Sequence, residues 1–157
     1  MADPADQPPR GIRVATIGSV PVHLGWSWLL LGLIIVVIIG PGTAARFGPA
    51  TGYAIAAAYA VALLVSVLAH EAAHAVVARA FGHRVHRVVA DLWGGHTAFD
   101  ATHGTAWTAA AIAVVGPLTN GVIGVLAFGG AVVSGSPVLV TLLSGVAFVN
   151  GALAVFN

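Results

Sequence analysis

Four long apolar segments run along the chain and define the expected architecture. The first spans about His23 to Ile39 and ends at the breaker Gly40-Pro41-Gly42, and the second runs from Gly52 to Ala78 or beyond. The third covers about Thr105 to Val133, and the fourth begins near Pro137 and is still apolar at Asn157. Each is long enough, or nearly so, to cross the hydrocarbon of a bilayer as a helix. The pattern predicts four transmembrane helices.

The segment between the second and third apolar stretches has a different pattern. Residues 85–99 are rich in β-branched side chains, contain Gly94-Gly95, and are too few to cross as a helix. They predict a short β-hairpin with the glycines at or near its turn or bulge. An exposed edge of that hairpin could pair with an extended peptide, and the alternative is an interfacial loop without a substrate role. We therefore expect an all-α integral membrane protein with about four transmembrane helices and a membrane-associated hairpin between helices 2 and 3.

Composition supports a membrane location and excludes other classes. Of the 157 residues, 59% are hydrophobic and 7% charged, with a mean hydropathy of +0.98, whereas a soluble domain carries about a quarter charged residues. A net charge of +1 gives no indication of nucleic-acid binding, and the absence of cysteine excludes thiolate ligands. Residues 1–10 are expected to form a disordered leader. Residues 11–157 are expected to form a membrane core that continues beyond residue 157, because its last apolar segment has no terminating signal.

The basic residues predict the orientation in the membrane. All six are arginines. Five are expected on one side of the membrane and the sixth on the other: Arg10, Arg13, Arg79, Arg84 and Arg87, with Arg46 opposite. Because basic residues accumulate on the cytoplasmic side, we expect a multi-pass protein of the cell membrane whose N-terminus is cytoplasmic.

The sequence His70-Glu71-Ala72-Ala73-His74 directly follows a run of eighteen uncharged residues, 52–69. Ionisable groups at membrane depth are costly and indicate function unless they are paired inside the protein. On a helix, His70 and His74 project from one face at the spacing that two imidazoles need to bind one metal ion. Glu71 lies beside them and could take a proton from a metal-activated water. The alternative is a polar cluster satisfied by hydrogen bonds; the favoured interpretation is a zinc site for hydrolysis.

Other polar residues have less specific interpretations. Pro117 should kink or loosen the third helix, and Asn120 follows it in apolar surroundings. The Asn120 amide could bind a substrate carbonyl or a developing oxyanion, or it could join two helices. A catalytic zinc usually has three protein ligands and a water. Within this chain His96, Asp91 and Asp100 are candidates for the third ligand.

These motifs together resemble those of the site-2 proteases, which are intramembrane zinc metalloproteases. Residues 67–85 resemble the family's HExxH helix with its terminal glycine, and Gly94-Gly95 resembles the glycine pair of its membrane-associated hairpin. Gly116-Pro117 to Asn120 resembles its second core helix. The opening, residues 11–31, is similar to the bacterial and archaeal branch, which often carries C-terminal CBS domains. Asn150 and Phe156-Asn157 resemble the start of the third core segment.

The resemblance implies a role for each site residue. His70 and His74 would hold Zn²⁺, Glu71 would act as general base, and Asn120 would act in substrate binding or oxyanion stabilisation. The family's third zinc ligand is an aspartate in an Asp-Gly motif shortly after a Phe-Asn pair such as Phe156-Asn157, so it would lie outside residues 1–157.

The implied activity is intramembrane proteolysis. The implied partners are transmembrane helices of single-span proteins, together with membrane lipid, and no nucleic acid; the oligomeric state is left open. Two alternatives remain at this point. One is a non-catalytic membrane sensor or pseudoprotease, and the other is a divalent-metal transporter, although a transport path would need more polar groups than the last two helices offer.

Overall fold

A computed structural model describes residues 11–17, 19–91, 94–99 and 105–156. The leader predicted for residues 1–10 lies outside this part of the chain. Eight elements follow one another in the order β1, β2, α1, α2, β3, β4, α3, α4. Their bounds are β1 Gly11–Ile17, β2 Val20–Gly25, α1 Trp26–Phe47, α2 Pro49–Ala80, β3 Val85–Asp91, β4 Gly94–Phe99, α3 Ala106–Val133 and α4 Pro137–Phe156.

All four helices are long and apolar enough to cross a membrane. Large apolar side chains are exposed along them, such as Leu33 in α1, Val125 in α3 and Phe148 in α4. Such surfaces are typical of helices that lie in hydrocarbon, because a soluble monomer rarely exposes many large apolar side chains together. The predicted fold class, a helical membrane protein with four spans and a small β element, is confirmed.

The first helix differs from its predicted bounds at both ends. It begins at Trp26, because Val20–Gly25 form a strand in which Val20 and Val22 are buried. It also continues through Pro41 to Phe47. Proline removes one backbone donor from a helix. Near this end of the helix the Thr43 hydroxyl lies 2.9 Å from the carbonyl oxygen of Gly52 in α2 and 3.0 Å from that of Ile39.

The second helix starts and ends at glycines with positive φ. Gly48, at φ 84°, separates α1 from α2, and Pro49 occupies the first position of α2, where its missing N–H is harmless. At the other end Gly82 has φ 85°. The His83 N–H donates to Ala78 O at 3.0 Å and the Gly82 N–H to Arg79 O at 2.9 Å. This pair of bonds is a Schellman motif, which ends the helix directly before β3.

A four-stranded sheet in the order β1-β2-β3-β4 lies at this end of α2. The predicted hairpin is present as the antiparallel pair β3 and β4, with Asp91 opposite Gly94. The hairpin of β1 with β2 was not predicted. It joins the sheet through a parallel pairing in which Val22 lies opposite Val88. β1 and β4 are therefore the edge strands among the described residues.

Apolar side chains fix this sheet against α2. Val20 and Val22 from β2, Val88 from β3 and Ala75 from α2 form one buried cluster, in which Val88 is completely inaccessible. Leu68 of α2 packs against the same cluster. The sheet is therefore held along the stretch of α2 that contains His70, Glu71 and His74.

The chain divides into two compact units. The first contains the chain up to Trp28 together with Val67–Gly116, and hence the sheet. The second contains Leu29–Ser66 and the chain from Pro117 onward.

Polar contacts join α2 and α4 within the second unit. Asn150 Nδ2 donates to Ser66 Oγ at 3.0 Å, and the Tyr59 hydroxyl donates to Thr141 O at 2.5 Å.

Candidate metal centre

The three residues His70, Glu71 and His74 form a compact cluster on α2. One potential ligand atom from each lies within 4.8 Å of the other two. His70 and Glu71 are nearly inaccessible, with 4% and 5% of their surface exposed, and His74 is partly buried. Ionisable side chains are rarely buried this deeply unless they are paired or bind a metal. Within the described residues, this is the group that could hold a metal ion.

The two imidazoles converge through their Nε2 atoms. His70 Nε2 and His74 Nε2 are 3.0 Å apart, and the rings meet edge to face at 76°. Two nitrogens bound to one tetrahedral zinc at ordinary Zn–N distances lie about 3.3 Å apart. Only a small outward movement of either ring would therefore accommodate the ion. The donor set of two imidazoles and a neighbouring carboxylate also fits zinc, which prefers nitrogen ligands in catalytic sites.

A backbone carbonyl fixes the orientation of His74. His74 Nδ1 lies 2.6 Å from Ile112 O in α3. A carbonyl oxygen can only accept a hydrogen bond, so Nδ1 carries the proton and Nε2 keeps its lone pair. Metal-binding histidines are commonly oriented in this way by a partner on the other ring nitrogen. The hydrogen bond therefore prepares His74 for coordination through Nε2.

Gly116 allows α3 to approach both histidines. A Cβ atom built on Gly116 would overlap Nε2 of His70 and Nε2 of His74, with His70 Cε1 also too close, at 2.6 Å. Any side chain at this position would therefore occupy the space where the imidazole nitrogens meet. Gly116 of the α3 motif is therefore important to the site because it has no side chain.

The hairpin strand β4 contacts the carboxyl group of Glu71. Thr97 Oγ1 lies 2.7 Å from Glu71 Oε2 and 3.1 Å from the Glu71 backbone oxygen. Since a hydroxyl has one proton, the shorter contact to the carboxylate is the stronger assignment. A Cβ atom on Gly95 would come within 2.7 Å of Glu71 Oε1 and overlap its Cγ. Gly95 therefore gives the carboxyl group room while Thr97 holds it.

The structure brings His70, Glu71 and His74 together, as the spacing predicts. Asn120 is buried, 1% exposed, in α3, but it belongs to the second unit and its proposed catalytic role stays a prediction. Among the third-ligand candidates, Asp100 and the side chain of His96 lie outside the described residues. Asp91 is described and is not part of the three-residue cluster.

Sequence analysis did not single out Thr97. One signal could have identified it: alternate residues of a strand point to the same face, so Thr97 shares a face with Gly95. If Gly95 is placed against α2, the Thr97 hydroxyl is expected near the same helix. No sequence pattern could have identified the contact of the Ile112 carbonyl oxygen, because every residue has a backbone carbonyl group.

Residues 58–157 match the family described as Peptidase family M50. The protein named "Putative zinc metalloprotease sll0528" of Synechocystis sp. is 29% identical over 156 residues, covering 94% of this chain and 40% of its own length. The protein named "Putative zinc metalloprotease Rip3" of Mycobacterium tuberculosis is 34% identical over 155 residues, covering 93% and 39% respectively. The chain thus spans about two fifths of the curated relatives it matches.

A solved structure shares the fold. The site-2 protease from Methanocaldococcus jannaschii superposes with a TM-score of 0.64 at 23% sequence identity, covering 90% of this chain and 62% of that protein.

Proposed function

The chain belongs to peptidase family M50, and from this premise we propose that it forms part of an intramembrane zinc endopeptidase acting on transmembrane segments of single-span proteins. The observation that carries the proposal is the buried cluster of His70, Glu71 and His74 within an otherwise apolar helix. The names of the relatives, both of them zinc metalloproteases, support the same chemistry.

In the proposed mechanism His70 and His74 hold the zinc through their Nε2 atoms. When bound, zinc polarises the scissile carbonyl and lowers the pKa of a water to near neutrality. Glu71 accepts a proton from the attacking water at its carboxylate and later returns the proton to the leaving amine. The Nδ1–H bond of His74 to Ile112 O keeps the imidazole in the tautomer and orientation that coordination requires.

Two further groups complete the proposal. We assign the third zinc ligand to an aspartate of an Asp-Gly motif, as the family resemblance implies, since Asp91 is not part of the described cluster. We assign Asn120 to substrate binding or to the oxyanion, because its side-chain amide, buried in α3, can donate a hydrogen bond to a carbonyl oxygen or an oxyanion.

The substrate must unfold locally before it can react. A transmembrane helix hides its amides in internal hydrogen bonds, so the scissile bond has to leave the helix before water can attack. A partner with one apolar span and weak local helix propensity fits this requirement. The arginine distribution supports a cytoplasmic N-terminus, which places His74 roughly 8 Å and His70 roughly 14 Å from the cytoplasmic end of α2, counted from Arg79 at 1.5 Å per residue.

The decisive experiment replaces the general base. Glu71→Gln in the full-length protein should retain zinc and fold, and should lose cleavage by about 10²–10⁴-fold, because the amide cannot accept the proton from water. Cleavage is measured in proteoliposomes on a fusion protein with one apolar span containing Asn-Gly and a tag at each end. Near wild-type cleavage by Glu71→Gln would refute the proposed mechanism.

A second measurement tests the metal assignment. The double variant His70→Ala, His74→Ala should lose zinc in elemental analysis of the purified full-length protein, since both nitrogen ligands are removed. Stoichiometric zinc in that variant would show that the metal is bound elsewhere.

A further inference from the structure

The hydrogen bond between Thr97 and Glu71 joins the hairpin to the carboxyl group that the proposed function uses. The 2.7 Å separation of Thr97 Oγ1 from Glu71 Oε2 is in the range of a hydroxyl bonded to a carboxylate. The hydroxyl has one proton to donate, and the carboxylate has only acceptors. The bond therefore fixes Oε2 of Glu71 against strand β4.

The position of the Thr97 hydroxyl is itself well defined. Thr97 pairs with Val88 across β3 and β4, and Val88 is completely buried in the cluster that fixes the sheet on α2. A β-branched side chain has few rotamers, so the hydroxyl loses little freedom on bonding. The sheet thus provides a rigid support for a contact to a side chain on a different element.

Glu71 needs such a support because its own side chain is long. A glutamate has three rotatable bonds, and the Cγ and carboxyl group of Glu71 lie so close to Gly95 that even a Cβ atom there would overlap them. Rotation about those bonds would change the direction in which the carboxylate points, and the hydrogen bond from Thr97 opposes such a rotation. A misplacement of about 1 Å at a reacting group can reduce a rate by about 10²-fold.

We propose that Thr97 is a positioning residue for the reaction: its hydroxyl donates to Oε2 of Glu71 and so holds the carboxylate in the orientation in which it takes the proton from the attacking water. The inference rests on the proposed function, since it assigns a purpose to a contact with the general base. It predicts that catalysis depends on the hydroxyl and not on the shape of the side chain.

Two substitutions separate hydroxyl from shape. Thr97→Val keeps the β-branched form and removes the donor, whereas Thr97→Ser keeps the donor. In the full-length protein, with the tagged single-span fusion described above, Thr97→Val should lower kcat by about 10–100-fold with little change in KM. Thr97→Ser should recover most of the rate. Thr16→Val is the matched control, because it makes the same substitution at an exposed position of β1 in the same sheet, and it should leave the rate unchanged.

Two readouts do not depend on turnover. Zinc content should be equal in wild type, Thr97→Val and Thr97→Ser, because neither imidazole is altered. The infrared band of the Glu71 carboxyl group, isolated as the difference between wild type and Glu71→Gln, should shift in Thr97→Val and not in Thr97→Ser, since a bond to the charged oxygen is lost only in the first.

The outcomes distinguish this inference from the proposed function. If Glu71→Gln is inactive while Thr97→Val matches wild type in rate and infrared band, positioning by Thr97 is refuted and the general base stands. Loss of zinc from Thr97→Val would also refute positioning, because the residue would then support the metal site as a whole. If Glu71→Gln remains active, the proposed function itself fails.

Discussion

At the scale of single residues, the candidate centre depends as much on two glycines as on its ionisable residues. Gly116 has no side chain that would overlap the two imidazoles, and Gly95 has none that would overlap the carboxyl group of Glu71. Both glycines are needed for close approach, since neither is among the described residues with positive φ. A methyl group at either position would meet atoms of the proposed machinery, so these sites should tolerate no substitution without rearrangement.

The first prediction concerns Gly116. Gly116→Ala should weaken zinc binding by about 10–100-fold, because the new methyl overlaps Nε2 of both histidines and forces the rings apart. Gly121→Ala on the same helix is the matched control: its Cβ would meet only Ala154 Cβ at 3.9 Å, an ordinary contact. Zinc affinity is measured by competition with a chelator. Equal affinity in Gly116→Ala and wild type would show that α3 does not limit the space around the ligands.

A second prediction at this scale concerns His23, which lies in β2, outside the helices. Burial lowers its pKa below the usual value, and the neighbouring charges of Arg13 and Arg87 lower it further. Folded His23 should therefore remain neutral at a pH where an unfolded histidine, with a pKa of about 6.5, takes up a proton. The unfolded state then binds more protons, so stability should fall as the pH drops through about 6.5.

Nuclear magnetic resonance of ring-labelled histidine can follow this group. The midpoint of His23 should lie below that of an exposed histidine, and Arg13→Gln should raise it, because one repelling charge is removed. A midpoint at or above the usual value would contradict the prediction. His23→Gln identifies the signal and should remove its share of the pH dependence of stability.

At the scale of elements, what the sequence could predict depended on the range of the interactions. The four helices and the hairpin of β3 with β4 are encoded by local patterns of apolar residues and glycines, and these predictions are confirmed. The pairing of Val22 with Val88 joins segments far apart in the chain, and the apolar residues of β2 run directly into α1. Hydropathy therefore assigned His23 to the first span, although it belongs to a strand. The contact of Thr97 with Glu71 depends on the same long-range packing, whereas His70 and His74 share a face through helical spacing alone.

The second unit provides a prediction about how two helices pack. Asn150 Nδ2 donates to Ser66 Oγ, and Ser66 Oγ donates to Ala62 O at 2.9 Å, so the two side chains connect α4 to the backbone of α2. Interhelical hydrogen bonds of this kind contribute about 0.6–1.7 kcal/mol in membranes. Ser66→Ala and Asn150→Leu should each destabilise the fold, and the double variant should lose less than the sum of the two. Unfolding in mixed micelles measures the cycle, and strictly additive losses would show that the bond contributes nothing.

At the scale of the whole molecule, the sheet restricts how the chain crosses the membrane. β2 precedes α1 and β3 follows α2, and the two strands pair directly. The segments that flank the first two helices must therefore lie on one side, as two successive crossings require. Arg13 in β1 and Arg87 in β3 consequently share that side, whereas Arg46 lies in the last turn of α1. The positive-inside rule predicts that the side with Arg13 and Arg87 faces the cytoplasm.

The last prediction concerns access of water to the candidate centre from that side. Hydrolysis within a membrane needs a polar path, and its shortest route runs along the end of α2 near Arg79. The chain has no cysteine, so single cysteines can be introduced without background. Ala73 and Val77 are half-buried and lie roughly 9 Å and 3 Å along the helix from Arg79, whereas Val65 lies roughly 21 Å away.

Cysteines at Ala73 and Val77 should react with a membrane-impermeant thiol reagent in inverted vesicles and not in intact cells. A cysteine at Val65, which is 57% exposed on an apolar helix, should resist the reagent from both sides because lipid covers it. Reaction at Ala73 and Val77 in intact cells would reverse the orientation, and reaction at Val65 would mean that water reaches much deeper than the histidines.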